Sequence, residues 1–330
     1  MVRIANVAQW RASLAHPKNW AVTRVLSHAP VIDLFDDDTK ARILAVAPPP
    51  PIVRERMETG RRFVECGAGA ECAHDNPCVV YFSGQSSTCP QLLLGLSGLD
   101  IDAWTNRRIA GVIDAVTNDV ARFSIQSWNN TKLYAASFSW LKVPASDTDL
   151  QCGFFDTEER YPSYQPTLDY IDQKIHFKHR YQQAPKVVAW LHKLDTNCSD
   201  LRVTVLVTDV SETGFTLRVG TWGGPELYSA GVSWFAYPSL RTDIASGDFV
   251  SENDQQREHC NRVAFRDAQF RDPPRVFVAL KHLDFGHKHN MRIRPISITD
   301  ITADGMTWHL DTWEDTVMNR VAAVYIAFAS

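Results

Sequence analysis

Three stretches of this chain carry the same order of strands at nearly the same spacing, and no other feature narrows the fold as much. The clearest copy runs from Lys174 to Trp234 and reads as five short strands. Within it KVVAWL, LRVTVLV and GFTLRVGTW hold the β-branched and aromatic residues that suit a pleated, half-buried surface. The breaks at Gln183 to Pro185, Asp195 to Asp200, Ser211 to Gly214 and Gly223 to Pro225 are built from turn-forming residues. Upstream, QLLLGLSGLD, RRIAGVIDAV, ARFSIQSWNN and LYAASFSW repeat the order. Downstream, RVFVALKHLD, MRIRPISITDI, GMTWHLDTWED and VAAVYIAF repeat it again.

Anchors make the copies countable. Leu99-Asp100, Leu194-Asp195 and Leu283-Asp284 correspond, as do Phe82, Phe177 and Phe265. Arg108, Arg202 and Arg292 form a third set, and Trp128, Trp222 and Trp313 a fourth. From the first copy to the second the Arg and the Trp both move by 94 residues; to the third they move by 90 and 91. Anchors that drift together mark an internal repeat. The expected fold is all-β: three tandem six-stranded antiparallel β-sandwiches, over 56–145, 146–240 and 241–330, behind a short N-terminal extension over 1–55. In LRVTVLV, Leu201, Val203, Val205 and Val207 face one side while Arg202 and Thr204 face the other. The links PASDTD and SLRT are short, so neighbouring units should pack at fixed angles. In the extension, VAQWRASL and DDTKARILAV read as short helices, followed by the stiff run Pro48 to Pro51.

With 34 basic against 38 acidic residues the formal charge is −4, which excludes an electrostatic reading as a nucleic-acid binder. No apolar run reaches the length of a membrane span. The start has no continuous apolar segment of signal-peptide type, so a cytoplasmic location is expected, with unconventional secretion as the alternative. Of the seven cysteines, Cys66, Cys72 and Cys78 are spaced by six, wider than zinc-ribbon ligands. Free thiols in a reducing compartment are the expectation; disulfides among Cys66, Cys72, Cys78 and Cys89 are the alternative. No Gly-rich phosphate loop, Ser-centred elbow or HExxH motif occurs, and neither metal nor cofactor is expected.

The neighbours of the anchors suggest chemistry. Tyr134 follows Trp128 by six residues and Tyr228 follows Trp222 by six, each across a turn, while the Arg opens a neighbouring strand. A rigid aromatic, a guanidinium fork and polar loop groups at one end of a sandwich suit a sugar: its C–H face packs on the ring and its hydroxyls take directed hydrogen bonds. Trp140, Trp234 and Tyr325, by contrast, are expected in the core.

These motifs, with DLRVTVLVTDVSETGFTLRVGTWGGPELYSAGVSW as the best copy, resemble the H-type lectin domain of snail and slime-mould agglutinins over residues 60 to 330. The resemblance implies six-stranded sandwiches that trimerise and bind galactose or N-acetylgalactosamine in shallow sites between protomers. The site residues it implies are an Arg opening a strand, a Trp followed by a polar residue, a Tyr six after that Trp, and an Asp in an earlier loop. Carried over, the first unit has Arg108, Trp128, Asn129 and Tyr134, with Glu71 or Asp75 in place of a clean Asp. The second has Arg202, Trp222 and Tyr228, with Gly223 after the Trp and either Asp156 or Asp169 as the loop residue. The third has Asp254, Arg292, Trp313 and Glu314, with Asn319 where Tyr is expected. A chain that fuses three copies could be its own pseudo-trimer with sites between units; like-to-like association of chains is the other arrangement.

The function expected is therefore a multivalent lectin for galactose- or N-acetylgalactosamine-type glycans, without catalysis, in which several weak sites gain strength together. The alternative is a polysaccharide-acting hydrolase or lyase working in a cleft between units. Its candidate carboxylates are Asp254 and Glu314, near His287, His289 and His309, and hydrolysis would need the pair about 5 to 9.5 Å apart. A scaffold with degenerate sites is the third reading.

Overall fold

The computed structural model describes residues 55–66, 71–83, 86–160, 169–252, 257–266 and 268–329. The helices and proline run expected before Glu55 lie outside them, as does Asp254. The first unit contains β1 (Glu58–Glu65), β2 (Asp75–Tyr81), β3 (Gln91–Ile101), β4 (Arg107–Val116), β5 (Val120–Gln126) and β6 (Leu133–Val143). The second contains β7 (Gln151–Asp156), β8 (Tyr170–His176), β9 (Lys186–Thr196), β10 (Leu201–Ser211), β11 (Gly214–Gly220) and β12 (Leu227–Tyr237). The third contains β13 (Ile244–Glu252), β14 (Cys260–Ala264), β15 (Arg275–Phe285), β16 (Met291–Ile293), β17 (Ser297–Thr302), β18 (Gly305–His309) and β19 (Met318–Phe328).

All pairings are antiparallel, as the hairpin-rich sequence requires. In each unit the first, last and third strands form one layer and the second, fifth and fourth the other. Between the layers the repeat anchors meet ring to ring. Phe82 lies 6.2 Å from Trp140, Phe177 6.2 Å from Trp234, and Phe265 5.9 Å from Tyr325. All three large rings are buried, as expected of the core set. Their opposite faces lie on Gly60, Gly153 and Gly247, where an added Cβ would come within 2.9 Å of the ring. The first strand of every unit needs glycine there because the aromatic has nowhere else to go.

The third unit departs from six strands. Its fourth strand is broken at Pro295, which has no N–H to give the ladder, and continues as β17 in a separate three-stranded sheet. The chain bridges the gap with the Ile296 N–H, which donates to the Ser97 carbonyl at 2.8 Å.

The units are not beads on a string. β4 of the first pairs with β9 of the second, β10 of the second with β15 of the third, and β16 of the third with β3 of the first. These three seams close a ring, and residues from 55 onward form one compact unit. At its centre β3, β9 and β15 touch one another. There the equivalent positions Gly95, Trp190 and Ala279 share one space: a Cβ on Gly95 would fall 2.5 Å from the Ala279 Cβ and 2.7 Å from the Trp190 ring. Trp190 is fully buried, packs 4.8 Å from Phe277 and donates its indole N–H to the Leu94 carbonyl at 2.9 Å. Around them Leu93, Val188, Tyr237 and Phe328 complete a second core drawn from all three units, distinct from the one inside the sandwiches.

Cys66 and Cys72 form a disulfide, which corrects the expectation of free thiols throughout. Strand β6 brings them together: the amides of Cys66 and Cys72 donate to the carbonyls of Tyr134 and Leu133, leaving their Cα atoms 5.2 Å apart. Cys78, Cys89, Cys152, Cys198 and Cys260 are free. Among the described residues no helix is long and apolar enough to cross a membrane, and no cluster of three or more His, Cys, Asp or Glu could hold a metal.

Candidate functional site

Each seam places the repeated Arg of one unit opposite the repeated Asp of the next. Arg108 pairs in register with Asp195, Arg202 with Asp284 and Arg292 with Asp100. The two anchor sets of the sequence are thus two halves of one motif, split between units. The Arg Nε to carboxylate distances are 3.2, 3.4 and 3.6 Å. Beside each pair lies the Trp that follows the Arg in its own unit, half-buried rather than sealed in the core. Clefts form at the three seams. The 1–2 cleft, about 630 Å³, is lined by Trp128 and Gln126 from the first unit and Asp156, Glu158, Lys193 and Asp195 from the second. The 2–3 cleft, about 440 Å³, is lined by Trp222 and Thr204 with Asp248, Lys281, His282 and Arg320. The 3–1 cleft, about 760 Å³, is lined by Trp313, Arg292 and Glu314 with Glu65, Asp100 and Tyr134.

The residue after each Trp turns the chain through left-handed backbone: φ is 56° at Asn129, 70° at Gly223 and 51° at Glu314. What looked like a missing polar side chain at Gly223 is a conformational requirement that glycine meets without strain. A Cβ there would also sit 2.8 Å from the Arg202 Nη1. At Glu314 the same geometry costs about 1 kcal/mol and persists because its carboxylate holds the Arg292 fork at 3.0 Å.

The guanidinium groups differ in what holds them. Arg108 donates to the Asn130 side chain at 2.7 Å. Arg202 is held by Asp200 at 2.8 Å and by the Gly223 carbonyl at 2.9 Å. Arg292 faces Glu314 and also Asp315 at 2.7 Å. The carboxylates differ too. The buried Asp195 Oδ1 and Asp100 Oδ1 have only their Arg Nε beside them, without a well-aligned hydrogen bond, whereas Asp284 Oδ1 also accepts from the Asn319 side chain at 2.9 Å. Desolvation pushes the carboxyls of Asp195 and Asp100 up to about 6 despite their Arg neighbours.

The Tyr positions obey the same split. Tyr134 does not share a cleft with Trp128 of its own unit, as the hairpin spacing suggested; it lines the 3–1 cleft with Trp313 and Arg292. Tyr228 sits near Arg108 and Asp195 in the 1–2 seam, where burial, Glu226 and Asp195 push its hydroxyl up while Arg108 acts in the opposite direction. Asn319 occupies the corresponding place at the 2–3 seam. The Trp follows β5 or β11 and the Tyr lies in β6 or β12, strands of opposite layers, so the Trp and Tyr of one unit serve different neighbours.

Of the loop acids, Asp156 lines the 1–2 cleft and bonds Lys193 at 2.8 Å, while Asp169 is exposed and its carbonyl accepts from the Thr221 N–H. Glu71 pairs with Lys132 at 3.5 Å and Asp75 opens β2; neither lines the 3–1 cleft, where Glu65 from the end of β1 joins Asp100 and Glu314. Glu158 lies at the equivalent place in the second unit and Glu252, bonded to Arg320 at 2.9 Å, in the third. That repeat of Glu was readable in the sequence and was missed, as was the site role of the Leu-Asp anchor. Arg107, fully buried, fastens the first seam by donating to the carbonyls of Asn197, Ser199 and Ala103 at 2.8, 2.6 and 3.1 Å. The histidines of the enzymatic reading have other partners: His287 bonds Asp200 and His289 pairs with Asp315, each at 2.6 Å, and His309 meets Thr299 at 2.9 Å.

Comparison with known proteins agrees with the repeat. No curated relative matches the sequence. Among solved structures, recombinant discoidin II of Dictyostelium discoideum is similar at 15% identity and a TM-score of 0.25, covering 47% of this chain and 75% of that one. The wild-type discoidin II from the same organism gives 15% identity and 0.24, over 50% and 77%. The H-type lectin domain matches three times, at residues 79–141, 172–237 and 261–328. With more than half its length matched, once in each sandwich, the chain belongs to the H-type lectin family.

Proposed function

We propose that this chain is a multivalent glycan-binding protein without catalysis, with its sites in the three seam clefts and galactose- or N-acetylgalactosamine-type sugars as ligands. The observation that carries this reading is the buried Oδ1 of Asp195 and of Asp100, each ion-paired to an Arg Nε across the seam without a well-aligned hydrogen bond and each beside a half-buried indole. A carboxylate oxygen accepts more than one hydrogen bond, and a sugar hydroxyl supplies the well-aligned donor that each of these buried oxygens lacks. The indole gives the ring's C–H face a platform, and the Arg fork donates to the remaining oxygens.

Single shallow sites bind weakly, and three on one rigid body gain through effective concentration. Because the ring of seams uses all three copies within one chain, a sedimentation mass near 37.2 kDa is expected, and three times that value would refute it. The Cys66–Cys72 disulfide favours an oxidising compartment over a cytoplasmic location, since such bonds persist in oxidising surroundings. A glycan array with the intact protein and a Trp128→Ala variant tests the function. Binding to galactose- or N-acetylgalactosamine-terminated glycans, weakened in the variant, is the expected result. Silence across the array, or shortening of the oligosaccharides on incubation, would overturn it.

A further inference from the structure

Two residues beyond each Arg–Asp pair, and so on the same face of the ladder, lies a second cross-strand position. At the 1–2 seam it is Ala110 opposite Lys193, and at the 2–3 seam Thr204 opposite His282. At the 3–1 seam the corresponding residues are Arg294 and Gly98, and a Cβ on Gly98 would meet the Pro295 Cα at 2.8 Å. Every seam therefore carries one basic side chain and one small residue, but the basic residue differs and goes to a different place. Lys193 is drawn aside by Asp156 at 2.8 Å and Glu158 at 2.9 Å. His282 stacks on Trp222, with ring centroids 5.1 Å apart and planes at 21°. Arg294 lies with its guanidinium 5.4 Å over the Trp313 ring and, among the described residues, has no carboxylate partner.

We propose, resting on the sugar-binding reading above, that His282 and Arg294 are built-in caps on the aromatic platforms of the 2–3 and 3–1 clefts, leaving the 1–2 cleft as the high-affinity site. The ligand must displace a stacked imidazole from Trp222 or a guanidinium from Trp313, whereas no ring or cation lies against Trp128 among the described residues. Contacts of this kind weaken the capped sites by roughly 2- to 30-fold. The 2–3 cleft is closed twice over: its acceptor is already filled by Asn319, and it is the smallest of the three at about 440 Å³. The 3–1 cleft keeps an Asp100 oxygen without a well-aligned donor and loses only its platform, so it ranks second. Lys193 acts as a positioning residue in reverse: two carboxylates keep it off the indole that its counterparts cover.

Isothermal titration of the full chain with N-acetylgalactosamine tests this. The wild type should fill one site first, then weaker ones. Trp128→Ala should remove the tight phase, and Arg294→Ala should raise the affinity of a weak site by roughly 2- to 30-fold. His282→Ala should do so to a smaller degree because Asn319 still fills the acceptor. Arg294 is exposed, so its variant reports even if His282→Ala melts low. Three equal sites in the wild type, or an Arg294→Ala titration identical to wild type, overturn the caps and leave the sugar reading standing. No heat in any of the proteins removes the sugar reading and the caps with it.

Discussion

Replacing Trp190 by Ala tests whether the three sandwiches are one folding unit. The indole is wholly buried at the meeting point of β3, β9 and β15. Its neighbours there are Gly95 and Ala279, which are too small to move into the space it leaves. Trp→Ala substitutions in cores cost about 3–5 kcal/mol, and poor collapse of the site places this one near the upper figure. The lost indole N–H adds little, because the Leu94 carbonyl keeps a second donor in the Ser233 hydroxyl at 2.9 Å. A loss of about 4–5 kcal/mol is a large share of the about 5–15 kcal/mol typical of a domain. Urea unfolding followed by tryptophan fluorescence and by far-UV circular dichroism would measure it. The variant should unfold at lower denaturant, with the two probes no longer coincident, because the shared core that couples the units is gone. A Trp222→Ala variant, at a half-buried cleft position, should lose far less. A cost under about 2 kcal/mol for Trp190→Ala would refute the packing argument.

Four further outcomes follow from particular groups. Sugar affinity should fall as pH drops below about 6, because a hydroxyl donates to the ionised Asp195 or Asp100, and titrations between about pH 7 and 5, roughly one pKa unit either side, should lose this dependence in Asp195→Asn at the tight site. The stability of the empty protein should change little over the same range. The two raised carboxyls bind protons more readily folded than unfolded, so they add stability as pH falls from about 6, whereas His192 and His282, held down to about 4 by burial, remove it below their unfolded value; a melting temperature that collapses between pH 6.5 and about 5 would contradict this balance. Lys142→Met should cost about 3–5 kcal/mol by stranding Glu58, 2.8 Å away with both side chains buried, and a Glu58→Leu/Lys142→Met double variant should recover most of it in thermal melts. Reducing Cys66–Cys72 should weaken the 3–1 cleft, which Cys66 lines, while leaving the 1–2 affinity unchanged; equal loss at both would refute a local role.

The repeat made the architecture legible. Phe82 with Trp140, and its two copies, recur because each sandwich needs the same plug between its layers. Alternation along LRVTVLV and its counterparts fixed which side of each strand turns inward, since a strand has only two faces. The basic pieces of the sites were also visible as anchors, because the tryptophans follow Arg108, Arg202 and Arg292 at nearly equal offsets of 20, 20 and 21 residues.

Which pieces meet was decided only in three dimensions. Linear spacing joins Trp128 to Tyr134, but ring closure hands Tyr134 to Arg292 and Trp313 and brings Tyr228 to Arg108. The Leu-Asp anchors carried no chemical signal until each Asp was seen opposite the Arg of another unit. Period and composition describe one strand at a time, whereas a seam depends on which edges are left unpaired once three sandwiches pack about Trp190. The same holds for the unlike fates of Lys193, His282 and Arg294: their identities are written in the chain, but whether each reaches its tryptophan depends on the carboxylates that packing places beside it.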